Sequence, residues 1–126
     1  MNNAPKRILV VDDEEAILFA FKKVLAAPSL DIHTAATLGQ AMDLIERNPY
    51  DAVIADLRLS GDTSNDGYAV IQTVAEKQKE CRIIVMTAYG DEKTKEKVFS
   101  LGAHFYLEKP VSPQKVKQLI ASMGIG

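Results

Sequence analysis

The chain has 126 residues, 15 basic against 17 acidic side chains, a net charge of −2, and 47% hydrophobic against 25% charged positions. That balance suits one soluble globular domain, expected over residues 1–126 with its core from about 6 to 122. It argues against the basic footprint of direct nucleic-acid binding, and a lone Cys81 rules out an internal disulfide.

Ile8, Leu9, Val10 and Val11 form a short continuous apolar run that stops abruptly at Asp12 and Asp13. A strand buried on both faces reads this way. Residues 14–27 then place Ile17, Phe21, Val24 and Leu25 on one face of a helix that Pro28 stops. A weaker strand is expected over 31–35, and a helix over 37–48 capped by Thr37 and closed by Pro49. The third strand, Ala52-Val53-Ile54-Ala55, again ends on an acid, Asp56. A polar loop from residue 60 to 65 leads into a helix over about 66–79. The fourth strand, 82–86, ends at Thr87. A mostly charged helix over 91–101 has Val98 and Leu101 as anchors and Gly102 as its C-cap. The fifth strand is expected over 103–107 and the last helix over 112–123, opened by Ser112-Pro113. The tail 124–126 is expected to fray. No apolar run approaches the ~20 residues of a membrane helix, and the polar start shows no signal-peptide core, so the expected location is cytoplasmic.

Five strand–helix alternations predict an α/β, doubly wound (βα)5 fold, a mostly parallel sheet with helices on both faces. Such sheets hold ligands outside the carboxyl ends of their strands. The residues standing there are Asp12, Asp13, Asp56, Thr87 and Lys109. Three carboxylates at one edge repel one another, so either a cation binds or one of them is protonated. Mg²⁺ suits the first remedy, since it takes one or two carboxylates together with waters and phosphate oxygens. Thr87 can donate a hydrogen bond to an anion, and Lys109 can supply a positive charge. Phosphoryl transfer asks for an in-line nucleophile and positive charge around the equatorial oxygens. A carboxylate can be that nucleophile, and Asp56, on the middle strand of the series, is the candidate. Taken singly, each residue has a plainer reading. Asp12-Asp13 suits an acidic helix N-terminus, Asp56 a loop acid, Thr87 a turn, Lys109 a solvated lysine and Tyr106 half-buried core. The agreement of all the strand ends carries the functional reading.

At these positions the sequence resembles the response-regulator receiver family. The matching pieces are Ile8 to Asp13, Asp51 to Asp56, Asp66-Gly67, Val85 to Ala88, and Gly102-Ala103 through Tyr106 to Lys109-Pro110. The resemblance implies a flavodoxin-like strand order 2-1-3-4-5. It implies that Asp56 accepts the phosphoryl group, that Asp13 ligates Mg²⁺ directly and Asp12 largely through water, and that the Arg58 backbone carbonyl completes the protein ligands. Thr87 and Lys109 would then hold phosphoryl oxygens, Tyr106 would turn inward with Thr87 as a switch, and Lys109-Pro110 would be cis. The phosphoryl donor implied is a histidine kinase or a histidine phosphotransfer protein. The surface of the fourth helix, fifth strand and fifth helix would control a downstream protein or output domain, and is where such domains commonly pair as homodimers. This describes a signalling switch with self-phosphorylation and slow autodephosphorylation, not an enzyme.

Two departures stand out. Ser60 replaces the Pro usual four residues past the acceptor, and the loop through Asn65 is about three residues longer than in most relatives, which suggests altered access or kinase docking. Asp62 on that loop is either a further contact near the metal or a solvated acid. Val111 replaces the common Phe after Lys109-Pro110, a packing change. Arg58 and Tyr89 occupy the positions that flank attacking water, and bulky Tyr89 is expected to prolong the phosphorylated state. Three other readings compete. An aspartate-nucleophile phosphatase would want an acid where Arg58 stands. A cofactor-binding flavodoxin-like module would want a Gly-rich phosphate loop where Asp12 to Glu15 stand. A degenerate interaction module would have lost some of the five site residues.

Overall fold

The computed structural model describes residues 4–58, 66–88 and 90–125. The loop bearing Ser60 and Asp62, and Tyr89, lie outside the described residues. Five strands, β1 (Lys6–Val11), β2 (Leu30–Ala35), β3 (Ala52–Asp56), β4 (Arg82–Thr87) and β5 (Phe105–Glu108), alternate with five helices. The helices are α1 (Glu15–Leu25), α2 (Leu38–Arg47), α3 (Asp66–Lys77), α4 (Glu92–Leu101) and α5 (Pro113–Ser122). The sheet is parallel throughout, in the order β2-β1-β3-β4-β5.

The continuous apolar runs have a simple cause. Side chains alternate between the two faces of a strand, and here both faces are covered. Leu9, Val11, Val53, Ala55, Ile83 and Val85 enter one buried cluster with Ala41 and Ile45 of α2, Val70 and Val74 of α3, and Val98 of α4. Ile8, Val10, Ile54, Ile84 and Met86 enter the other, with Phe21 and Leu25 of α1 and Val116 and Ile120 of α5. Apart from the alanines, each such side chain contributes roughly 1.5–3 kcal/mol on burial.

Helix limits follow local chemistry. Thr37 Oγ1 accepts the Gln40 N–H at 3.1 Å and Ser112 Oγ accepts the Lys115 N–H at 3.4 Å, as their sequence contexts predict. Asp91, placed inside α4 by the sequence reading, is instead its N-cap, accepting the Thr94 N–H at 2.8 Å. Helix α1 stops at Leu25, short of Pro28, because a residue preceding proline is pushed away from helical backbone. Ala27 instead bridges Leu30, whose N–H donates to its carbonyl. Strand β5 starts at Phe105 because the Gly102 and Ala103 N–H groups are spent closing α4, on Phe99 O and Val98 O.

The expectation of a frayed tail is overturned. Gly124 has φ 80°, its N–H donates to Ala121 O, and the Ile125 N–H donates to Ile120 O. This paired closure satisfies the last carbonyls of α5. It turns Ile125 back into the second cluster, where the side chain is 8% exposed.

Candidate functional site

Strand register brings the chemistry together. Val11 pairs with Ala55, so the next residues, Asp12 and Asp56, end adjacent strands side by side. Asp56 pairs with Met86, which puts Thr87 one step beyond on the following strand. Thr87 pairs with Glu108, and Lys109 comes next. Four strand ends thus form one row at the carboxyl edge of the sheet. The Lys109 N–H donates to Thr87 O at 2.9 Å, fixing the end of that row.

At the centre, Lys109 Nζ donates to Asp12 Oδ2 at 2.8 Å and to Asp56 Oδ2 at 3.1 Å. The lysine side chain is 12% exposed, whereas Asp12 is 0% and Asp56 5% exposed. The solvated-lysine reading therefore fails. Asp12 is held from two sides: its Oδ1 accepts the Glu14 N–H just ahead of α1 while its Oδ2 meets the lysine. Asp56 Oδ1 accepts the Arg58 N–H at 3.3 Å. Glu14 Oε1, exposed at the rim, lies 3.8 Å from Lys109 Nζ.

Charge balance at the row is uneven. Burial pushes the Asp56 carboxyl above its ordinary value of 3.8; the Lys109 charge opposes this and the neighbouring Asp12 adds to it. Burial alone would lower Lys109, but its bonds and charge interactions with Asp12 and Asp56 win, and it stays above its ordinary value of 10.5. One lysine thus serves more than one carboxylate. Both directions agree with an edge that holds excess negative charge.

Asp12, Asp13 and Asp56 each offer an oxygen within 4.8 Å of the others. An all-oxygen, net anionic donor set of this kind fits a hard divalent cation such as Mg²⁺. Among the described residues these three are the only group of acids, histidines or cysteines gathered in this way. The histidines are elsewhere: His33 sits between Tyr50 Oη (2.7 Å) and Asp31 Oδ2 (3.2 Å), and His104 Nδ1 accepts the Ile83 N–H.

Thr87, 1% exposed, closes β4 beside the cluster. Tyr106 is half-buried on β5, with its hydroxyl buried and without a hydrogen-bond partner among the described residues. Burial, then the negative charges of Glu108, Asp91 and Glu92, push its phenol above the ordinary 10.0. The reason for the Asp66-Gly67 pair becomes visible only in three dimensions. A Cβ at Gly67 would fall 2.3 Å from Leu57 Cα and 2.5 Å from Asp56 O. The Gly67 N–H donates to Leu57 O, so the start of α3 clamps the backbone that carries Asp56. Periodicity has no signal for that contact. The proposed placements of Asp62 and Tyr89 fall outside the described residues. The Lys109-Pro110 bond is cis.

Residues 8–121 match the family model described as the response regulator receiver domain. The transcriptional regulatory protein SrrA of Staphylococcus aureus is 37% identical over 109 residues, 86% of this chain and 44% of the relative. This chain spans less than two thirds of the length of the curated relatives it matches. Among solved structures, a CheY-like response regulator receiver domain protein from Methanospirillum hungatei aligns with a TM-score of 0.86 at 27% identity, covering 95% of this chain and 94% of that one. The response regulator TrrA from Thermotoga maritima, solved in complex with Mg²⁺-BeF, aligns with a TM-score of 0.77 at 30% identity, covering 94% and 98%.

Proposed function

The chain belongs to the response regulator receiver family of two-component systems, and from that premise we propose that it is a single receiver domain switched by phosphorylation of Asp56. The observation that carries the proposal is the bridge from Lys109 Nζ to Asp12 Oδ2 and Asp56 Oδ2. It gathers nucleophile, metal-ligand candidate and counter-charge within hydrogen-bond reach of one another.

In this reading an Asp56 carboxylate oxygen attacks the phosphorus of a phosphohistidine presented by a histidine kinase or phosphotransfer protein. The O–P bond forms, the N–P bond breaks, and the imidazole leaves with the electron pair. Asp12, Asp13, Asp56 and the Arg58 carbonyl would hold Mg²⁺, which when bound supplies positive charge to the phosphoryl oxygens. Support for that ion comes from the three clustered carboxylates and from the Mg²⁺-BeF complex of the TrrA relative. Lys109, already 3.1 Å from Asp56, counters charge on the phosphoryl group, and the Thr87 hydroxyl donates to it. Tyr106 follows Thr87, and the face of α4, β5 and α5 changes shape for a downstream protein, an output domain or a second copy of the chain.

The domain acts as a switch with self-phosphorylation and slow loss of phosphate, not as a turnover enzyme. By the family resemblance, Arg58 and Tyr89 would set that lifetime. The work is cytoplasmic and involves neither nucleic acid nor membrane directly. A net charge of −2 supports this, and no helix among the described residues is long and apolar enough to cross a bilayer.

Intact-mass analysis after incubation with acetyl phosphate, with and without Mg²⁺, tests the proposal. Wild type is expected to gain one phosphoryl group only with Mg²⁺, and Asp56→Asn none. No gain in wild type sinks the reading.

A further inference from the structure

Gly90 lies between the end of β4 and the start of α4. What position 90 needs is room. A Cβ built there would fall 1.4 Å from Tyr106 Oη, 2.6 Å from Tyr106 Cζ and 2.9 Å from Thr87 Cγ2. The tip of the tyrosine ring fills the volume that any other side chain would claim, and the Thr87 methyl borders the same volume.

The hydroxyl at that tip is buried with no hydrogen-bond partner among the described residues. Burying a hydroxyl unpaired is unfavourable, so hydrogen bonding does not hold the ring there. Shape does. The ring packs against the cluster that contains Val85, Val98 and Ala103, and the absence of a side chain at 90 leaves its tip a place to rest. Tyr106 is seated in this way in the same arrangement in which Lys109 bridges Asp12 and Asp56.

We propose that Gly90 is a positioning residue, the seat that admits the Tyr106 ring beside Thr87, and that the size of residue 90 sets whether ring and threonine can move together. Its consequence for signalling rests on the reading of Asp56 as phosphoacceptor. The seat itself does not, and it is tested on untreated protein.

The test uses the full chain labelled with 3-fluorotyrosine, the Tyr106 resonance being identified by its loss in Tyr106→Phe. In wild type that ¹⁹F signal should resist broadening by a soluble gadolinium chelate. In Gly90→Ala it should move toward the free amino acid and broaden several-fold more, while the Tyr50 signal stays put and reports an intact fold. A Tyr106 signal equally protected in both proteins would overturn the proposal. A thermodynamic cycle gives a second reading that does not depend on the variant folding well. Gly90→Ala should lower the folding equilibrium constant about tenfold in wild type, but by no more than about twofold once Tyr106→Ala has removed the ring. Equal losses in the two backgrounds would show that the ring is not what position 90 accommodates. Acyl phosphate formation, read separately by intact mass, keeps a failure of the seat distinct from a failure of the acceptor.

Discussion

Replacing Lys109 with Met keeps the length of the side chain and removes the charge that Asp12 and Asp56 share at 2.8 and 3.1 Å. Taking one partner from a buried ion pair costs about 3–5 kcal/mol, because the remaining charge is left buried and uncompensated. Here a relief route caps the loss. The folded protein can protonate Asp56, which burial already holds above its ordinary 3.8. Each pH unit between the ordinary value of 3.8 and the working pH costs about 1.4 kcal/mol, which limits the loss to roughly 4.5 kcal/mol at pH 7 and less as the solution is acidified.

The sign follows from proton binding. Folded Asp56 holds its proton to higher pH than unfolded Asp56, so stability falls as pH rises through the window between the ordinary and the raised value. Lys109→Met extends that window upward. In wild type the lysine contribution is fully present below its ordinary 10.5 and is lost only as pH rises through its own raised value. Urea unfolding followed by circular dichroism should therefore show Lys109→Met destabilised by about 3 kcal/mol at pH 7 and by less than about 1 kcal/mol near pH 4.5. Adding Asp56→Asn should recover much of the loss at pH 7. A loss equal at both pH values, or none at all, would refute the electrostatic account of the row.

Other consequences are simpler to check. Gly67→Ala forces a methyl group onto the Leu57 and Asp56 backbone, where nothing can rotate away. It should destabilise by about 2–3 kcal/mol in urea and slow phosphoryl uptake from acetyl phosphate. Ile125→Ala should cost about 2 kcal/mol if the tail is packed as observed, against under about 0.5 kcal/mol for a frayed one. Burial pushes the Cys81 thiol up to about 12, so native protein at pH 8 should resist a disulfide-exchange reagent that labels the urea-unfolded chain at once.

The order of elements and the row at the strand ends were legible because both are written in local pattern. Strands buried on two faces produce apolar runs such as Ile8 to Val11, and the first polar residue after each run marks where it leaves the core. What stayed hidden depends on packing between distant segments. Lys109 alone looks like any exposed lysine, and only the register that brings β5 beside β4 encloses it. Gly67 and Gly90 are short of space, and the backbone of Leu57 and Asp56 that crowds the one and the Tyr106 ring that crowds the other are 10 residues away or more in sequence. Gln78 is similar. Its side chain accepts the Tyr50 N–H and donates to Ile45 O and Asn48 O, tying the end of α3 to the loop ahead of β3. Nothing in its sequence context announces that. The packed tail was not expected, although a glycine after the last helical turn followed by an apolar residue, here Gly124 at φ 80° and Ile125, is a closure signal.

The central claim is that the strand-end row makes a phosphoacceptor of Asp56. The most direct measurement is chemical localisation: protein treated with acetyl phosphate and Mg²⁺ is reduced with borohydride, which converts an acyl phosphate of aspartate to homoserine, and its peptides are sequenced by mass spectrometry. The account predicts homoserine at position 56 and at no other acid. Reduction at Asp12 or Asp13 instead, or none anywhere despite bound phosphate, would contradict it.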